Sequence, residues 1–114
     1  MSECLFCKIV SGEIGADHVA EGPGWLAFRD IAPQAPTHVL IIPKEHIGSL
    51  NDLDGTRTEL AGELLLGCRD VARREGIADP GYRLLTNTNR EAGQLVPHLH
   101  FHLLGGREMG WPPG

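Results

Sequence analysis

Apolar and polar residues alternate along several short segments of the chain, and this pattern predicts strands. Alternation has this meaning because successive side chains of a strand point to opposite faces of a sheet. Gly22-Pro23-Gly24 separates the first two segments, as expected for the turn of a hairpin. The predicted strands are His18 to Glu21, Trp25 to Asp30, Thr37 to Ile42, Tyr82 to Asn87 and His98 to Leu104.

Helical spacing of apolar residues predicts two helices. The short one runs from Cys4 to Val10, with Ser2 as a candidate N-cap and Gly12 as a stop signal. The long one follows a Thr-x-x-Glu capping box that starts at Thr56, and it ends near Gly76. We therefore expect an α+β fold with an antiparallel five-stranded sheet, one long helix across it and a short N-terminal helix.

Length and charge limit the classes of partner. The 114 residues fit a single domain over residues 1–114, with an irregular Gly- and Pro-rich tail at residues 105–114. With 10 basic and 15 acidic side chains the net charge is -5, which disfavours nucleic acids as partners. No stretch reaches the ~20 apolar residues of a membrane-spanning helix. The N-terminus lacks a secretory pattern, so we expect a cytoplasmic protein whose cysteines stay reduced.

Three histidines alternate with large apolar residues between Pro97 and Leu104. On a strand, His98, His100 and His102 would share one face at steps of about 6.6 Å, with the intervening residues facing the core. A neutral imidazole can attack phosphorus, and its neighbours can orient it and bind phosphate oxygens. His100, in the middle, is the best-placed nucleophile. Spacing alone leaves a set of metal ligands or a polar strand surface as alternatives.

Several further motifs surround this triad, namely Phe28-Arg29-Asp30-Ile31, Pro33-Gln34-Ala35-Pro36-Thr37-His38, Ile42-Pro43-Lys44-Glu45-His46-Ile47, Gly93-Gln94, Leu104-Gly105-Gly106-Arg107 and Trp111-Pro112-Pro113-Gly114. Together with the triad, they resemble the histidine triad superfamily over nearly the whole chain. The ending of the chain is similar to that of the Hint branch. The resemblance implies a hydrolase that cleaves nucleoside 5′-phosphoramidates or related adenylates at the α-phosphate through a nucleotidyl-His100 intermediate, without a catalytic cofactor.

The resemblance also implies a purine nucleotide ligand and residue roles. His102 would bind phosphate oxygens, His38 and His98 would complete the catalytic array, and Asp30 would accept the ribose hydroxyls. Backbone amides of the loop at Gly93 would approach the phosphate. For the apolar contacts, packing in the core is the alternative role. The expected nucleotide contacts are Leu5, Phe6, Ile9, Phe28, Arg29, Asp30, Ile31, Asn87, Gly93, Gln94, Leu95, His100 and His102.

Two positions depart from the pattern of the family on the side of the leaving group. Leu95 stands where several relatives have Ser, whose hydroxyl can assist the departing amine. Pro97 replaces an aromatic residue that is common at this place. The preference for a leaving group therefore stays open.

Cys4-Leu5-Phe6-Cys7 has the Cys-x-x-Cys spacing of metal ligands, with both thiolates on one face of a helical turn. A redox dithiol and two ordinary buried cysteines are the alternatives. In some bacterial relatives the equivalents of Cys4, Cys7, His46 and His98 bind one structural zinc, and the resemblance implies the same set here. His98 would then hold the strand in place and leave the chemistry to the other two triad histidines.

Two further functions stay open at this level. One is a dinucleoside polyphosphate hydrolase of another triad branch, which the ending Trp111-Pro112-Pro113-Gly114 disfavours. The other is a non-catalytic, zinc-stabilised nucleotide-binding module that works through partner proteins. The resemblance further implies a homodimer, in which two sheets join into one of ten strands and the tail approaches the partner's site.

Overall fold

The computed structural model describes residues 3–114 and contains one antiparallel sheet with two α-helices. The strands follow the order β1-β2-β3-β5-β4 across the sheet, which confirms the predicted α+β fold and the β1–β2 hairpin. Within residues 3–114, neither helix has the length and apolar character needed to cross a membrane. The elements are α1 (Leu5–Ser11), β1 (His18–Glu21), β2 (Trp25–Arg29), β3 (Thr37–Pro43), α2 (Thr58–Arg74), β4 (Tyr82–Leu85) and β5 (Phe101–Gly105).

Each face of the sheet packs against one helix, because the side chains of the central strands alternate between two apolar clusters. On one face α2 covers residues such as Ala27, Val39 and Leu103. On the other face α1 contributes Phe6 and Ile9, and the rest of the cluster comes from β2 and β3. The triad histidines lie on the α1 side, because they alternate with leucines that belong to the α2 cluster.

The strand predicted over His98 to Leu104 is shorter than expected, because its regular pairing starts only at Phe101. Before that point the amide of His98 donates to Val96 and the amide of Leu99 donates to Ile47, so the backbone is bonded to loops. The strand predicted over Tyr82 to Asn87 likewise ends early, at Leu85, opposite His102. The side chains from His98 to Leu104 still alternate between the two faces, although regular strand pairing is missing before Phe101.

The helix starts also differ from the prediction. The capping box at Thr56 is not formed, because Asp54 accepts from the Thr56 amide in a 3-10 turn and α2 begins only at Thr58. The predicted N-cap Ser2 lies outside the described residues. Cys4 is the N-cap of α1, and its sulfur accepts from the Cys7 amide at 3.4 Å. At the other end, Gly12 takes a φ of 85° as the C-cap, as its position predicts.

Candidate active site and metal centre

His100 is fixed by hydrogen bonds to both its ring and its backbone. Its Nδ1 lies 2.7 Å from the carbonyl oxygen of His98, and a carbonyl only accepts, so Nδ1 carries the proton. The hydroxyl of Thr86 donates to the carbonyl of His100 at 2.7 Å. Phe6 packs edge-on against the ring with centroids 5.1 Å apart. The lone pair of a neutral His100 is therefore on Nε2, the atom type that a nucleophilic role requires.

His38 and His102 form a directed hydrogen-bond chain. The amide of Gln34 donates to His38 Nδ1 at 3.0 Å, so the proton of neutral His38 is on Nε2. That Nε2 lies 2.9 Å from His102 Nδ1 and donates to it. Neutral His102 then carries its own proton on Nε2, as a donor. The ring centroids of His100 and His102 are 5.1 Å apart, so this donor lies beside the candidate nucleophile.

Burial keeps the rings of His38 and His102 uncharged at neutral pH. Burial lowers the pKa of His38, and the nearby carboxylate of Asp30 only partly opposes this. Burial, reinforced by the His100 and His38 rings, lowers the pKa of His102 to about 4. Asp30 Oδ2 lies 3.4 Å from His38 Nε2, and its Oδ1 accepts from the amide of Ala32 at 2.8 Å. The tautomers described above are therefore those of neutral rings.

A cavity of about 650 Å³ opens beside these histidines and is lined mainly by apolar side chains. It brings together all the predicted nucleotide contacts except Gln94. Its inner wall contains buried Phe6, Ile9 and Phe28, which also pack in the α1-side core. Ile31 is fully exposed at 101% and has no core role. The predicted residues that line the cavity are Leu5, Phe6, Ile9, Phe28, Arg29, Asp30, Ile31, Asn87, Gly93, Leu95, His100 and His102.

The predicted phosphate loop differs in detail from the expectation. The Gln94 side chain accepts from the Asn89 amide and donates to the carbonyls of Gly48 and Val96, so it shapes the loop and does not line the cavity. The amides of Gly93 and Gln94 are both bonded within the turn. No backbone hydrogen bond of the described residues uses the amide of Leu95. The amide of Leu95, a residue that lines the cavity, therefore has no backbone partner.

Arg29 lines the cavity, but its guanidinium points away from it. Nη1 donates to Glu75 at 2.8 Å and Nη2 donates to the same carboxylate at 3.1 Å, at the end of α2. This ion pair, with a smaller effect from Asp17, raises the pKa of Arg29. Arg29 is therefore placed to hold the end of β2 against α2.

Some residues of the cavity were missed by sequence reasoning. Leu40 lies two positions after His38 on β3, so strand periodicity could have placed it on the same face. Thr86 does not line the cavity but holds the backbone of His100, and it gave no signal because its partner is 14 residues away in the sequence. The other lining residues that were not predicted are Ile14, Gly15, Ala16 and Val96.

Cys4, Cys7, His46 and His98 form a cluster in which the four ligand atoms all lie within 4.8 Å of one another. Cys4 Sγ and His98 Nδ1 are 3.3 Å apart, Cys7 Sγ and His46 Nδ1 are 3.3 Å apart, and Cys7 Sγ is 3.6 Å from His98 Nδ1. A tetrahedral zinc with bonds of about 2.3 Å to sulfur and 2.0–2.1 Å to nitrogen requires sulfur–nitrogen separations of about 3.5 Å. The donor set therefore fits a Cys2His2 zinc.

The hydrogen bonding of His98 fits the same ion. His98 is fully buried, and its Nε2 donates to the carbonyl of Pro43 at 2.9 Å, which directs the Nδ1 lone pair at the two sulfurs. Burial, opposed in part by this bond, lowers the pKa of His98. Burial and a hydrogen bond with Cys4 raise the pKa of Cys7. The third cysteine, Cys68, is a core residue, and burial raises its pKa to about 12.

The chain is similar in sequence and in fold to known proteins of the HIT domain family. The sequence model of the HIT domain matches residues 11–109. An uncharacterized HIT-like protein of Synechococcus elongatus is 50% identical over 115 residues, with 100% of both chains covered. A purine nucleoside phosphoramidase of Escherichia coli is 48% identical over 108 residues, which cover 95% of this chain and 91% of that protein. The crystal structure of a HIT family hydrolase from Legionella pneumophila matches with a TM-score of 0.96 and 54% identity, over 98% of this chain and 100% of that chain.

Proposed function

Because the chain belongs to the HIT domain family, we propose that it is a purine nucleoside phosphoramidate hydrolase that works through a covalent nucleotidyl-His100 intermediate. The observation that carries this proposal is the tautomer of His100. Its Nδ1 proton is held by the His98 carbonyl, which leaves the Nε2 lone pair for a phosphorus atom in the adjoining cavity. The name of the Escherichia coli relative, at 48% identity, supports the same substrate class.

In the first step the lone pair of His100 Nε2 forms a bond to the α-phosphorus. The electron pair of the broken phosphorus–nitrogen bond stays with the departing amine, which takes one proton from water. His100 is then a nucleotidyl-imidazolium whose positive charge is stabilised by the bond from Nδ1 to the His98 carbonyl. Covalent catalysis of this kind replaces one difficult step by two easier ones.

In the second step water attacks the same phosphorus, gives up one proton to solvent and releases His100 with its Nε2 lone pair. The net reaction consumes one water and yields the nucleoside monophosphate and the amine. Neutral His102 acts in both steps by donating Nε2–H to a phosphate oxygen, where negative charge grows. His38 is a positioning residue, because its bond to His102 Nδ1 fixes the tautomer of that donor.

The nucleotide contacts follow from the lining of the cavity. We assign the ribose hydroxyls to Asp30, whose carboxylate keeps free lone pairs beyond its bond to Ala32. The purine would lie between Ile9, Phe28 and exposed Ile31, which offer flat apolar surface. The phosphate would contact Asn87 and the amide of Leu95. The negative protein as a whole repels nucleotides, so these local donors have to supply the attraction.

The decisive experiment is mass spectrometry of the protein mixed with adenosine 5′-phosphoramidate and quenched within milliseconds. Because a phosphorus–imidazole bond is labile in acid, the quench uses an alkaline denaturant. We expect one adenylyl group on the peptide that contains His100, and none in His100→Gly. Turnover without an adduct at any time point would contradict the covalent mechanism. Absence of any hydrolysis would contradict the function.

We further propose that Cys4, Cys7, His46 and His98 hold one structural zinc, which ties α1 to the triad segment. Zinc supplies four bonds between parts of the chain that are distant in sequence, and it takes no part in the cleavage of the substrate. The thiolate ligands require a reducing compartment, consistent with the proposed cytoplasmic location. Elemental analysis of protein purified without chelator tests the proposal, with one zinc per chain as the expected content.

A homodimer is the third part of the proposal. β1 and β4 are the two edges of the sheet among the described residues, and Tyr82 on β4 is 39% exposed. Edge strands have unpaired backbone groups that a second copy can pair with, and this would give the ten-stranded sheet expected from the family resemblance. Sedimentation velocity at several protein concentrations tests it. A single species with the mass of one chain would contradict it.

A further inference from the structure

A second groove of about 640 Å³ adjoins the candidate active-site cavity. Leu5, Leu95 and Val96 line both spaces and form the wall between them. Leu95 is 90% exposed and Leu5 is 44% exposed, so the top of this wall is apolar and open to a ligand. We call this space the Leu95 groove. Its other lining residues are Glu3, Cys4, Cys7, His46 and Pro97.

The chemistry of the Leu95 groove is unsuited to anions. Most of its lining surface belongs to apolar atoms, and Glu3 is the carboxylate among its residues. No lysine or arginine is present among the described residues that line it. With zinc bound at its edge, two cysteine thiolates balance the two charges of the ion. A group bound there therefore gains from apolar contact, and none of the described lining residues offers a lysine or arginine to a negative charge.

Resting on the proposed function, we infer that the Leu95 groove binds the departing amine of the substrate, and that this amine carries an apolar group. A phosphoramidate with its phosphorus at His100 places the nucleoside in the first cavity, among Ile9, Phe28 and Ile31. The substituent on nitrogen is then the part of the substrate that extends past the shared wall. An aromatic or branched aliphatic amine covers the surfaces of Leu5, Leu95 and Pro97 that are otherwise in water.

The same geometry separates this substrate class from dinucleoside polyphosphates. Such a substrate would place several phosphates and a second nucleoside past the shared wall. Those phosphates would lie near Glu3, with no lysine or arginine among the described lining residues. Opposite charge across a binding surface favours a ligand, and like charge costs affinity. The Leu95 groove thus favours an amine over a polyphosphate as the leaving group.

The experiment compares three adenosine 5′-phosphoramidates, made from ammonia, phenethylamine and β-alanine. The first is the reference without a substituent, the second fills the groove with an apolar group, and the third carries a carboxylate into it. We expect kcat/KM for the phenethylamine compound to exceed that of the reference by roughly tenfold or more, because each methylene in an apolar pocket contributes about tenfold or more to discrimination. We expect the β-alanine compound to fall below the reference.

Two variants test whether the preference for an apolar amine depends on the Leu95 groove. Leu95→Ser should lower the ratio of kcat/KM between the phenethylamine compound and the reference by roughly threefold to tenfold. The ratio cancels any effect of the change on the nucleoside half of the substrate. Leu66→Ser is the matched control, because Leu66 is 53% exposed on α2 and lines neither space, and it should keep the wild-type ratio.

The outcomes distinguish a failure of the proposed function from a failure of the leaving-group site. Hydrolysis of none of the phosphoramidates contradicts the proposed function and the leaving-group site together. Equal kcat/KM for all three compounds, or equal ratios in Leu95→Ser and Leu66→Ser, contradicts the leaving-group site alone. Faster turnover of diadenosine tetraphosphate than of the phenethylamine compound would also overturn it.

Discussion

The ring of His98 belongs to the Cys4, Cys7, His46 and His98 cluster, and the backbone carbonyl of His98 contacts the ring of His100. Its Nδ1 lies 3.3 Å from Cys4 Sγ, and its carbonyl oxygen accepts from His100 Nδ1 at 2.7 Å. Neither ring nitrogen of His98 is left for the cavity, because Nε2 donates to Pro43. The residue therefore links the proposed zinc to the proposed nucleophile, and its place in the catalytic array is one of positioning.

This link predicts that loss of the metal disturbs His100. Cys7→Ser should abolish zinc binding, lower the melting temperature by several degrees and lower kcat, because His98 loses the ligand that fixes its segment. Nitrogen NMR of labelled histidine should show His100 changing from one Nδ1–H tautomer to a mixture. Elemental analysis gives the zinc content of the same samples.

Cys68→Ala is the control for this prediction. It removes a sulfur from the buried core, so it should also lower the melting temperature, while the zinc content and the His100 tautomer stay as in the wild type. Retention of zinc in Cys7→Ser, or an unchanged His100 signal after zinc loss, would contradict the coupling.

His100→Gly is expected to lower kcat for adenosine 5′-phosphoramidate by on the order of 10³-fold or more, since it removes the nucleophile. Binding of AMP should be kept within a few fold, because the apolar wall and Asp30 remain. Stopped-flow kinetics and calorimetric titration measure the two effects. His18→Gly, at an exposed position of β1, is the control and should leave both unchanged.

The pKa of His102 predicts a dependence of stability on pH. The folded value of about 4 is below the ordinary value of 6.5, so in this interval the unfolded chain binds a proton that the folded protein does not. The free energy of unfolding should therefore fall as the pH drops from about 6.5 to about 4. Since the ring is only half-buried, screening by solvent leaves a contribution of about 1–2 kcal/mol.

Urea denaturation at a series of pH values measures this contribution. His102→Asn should flatten the fall between pH 6.5 and pH 4, whereas His18→Asn, which changes an exposed histidine, should keep the wild-type slope. The same slope in all three proteins would show that the low pKa of His102 is not linked to folding.

Ile31→Ala separates purine binding from core packing. Ile31 is fully exposed and lines the cavity, so its truncation should weaken AMP by about threefold to tenfold through lost apolar contact and leave the melting temperature unchanged. Ile9→Ala, at a 6% exposed position, should lower both affinity and stability. Calorimetric titration and thermal unfolding give the two quantities. Wild-type affinity in Ile31→Ala would remove Ile31 from the proposed purine site.

The sequence by itself determined the elements and the division of faces. Alternation from His98 to Leu104 placed the three imidazoles on one side and the leucines on the other, because side-chain direction along an extended chain depends only on local geometry. The same local logic predicted the sheet, both helices and Gly12 as the end of α1. The Cys4-x-x-Cys7 spacing indicated metal ligands on one helical face.

Only the tertiary structure decided what each of these side chains does. The partners of His98 are 94 residues away at Cys4 and 55 residues away at Pro43, so no local pattern encodes its withdrawal from the cavity. The tautomers of His100 and His38 depend on carbonyl and amide groups positioned by loops. The position of Leu95 between two spaces likewise arises where the loop before β5 meets α1, since contacts between distant segments exist only after the chain has packed.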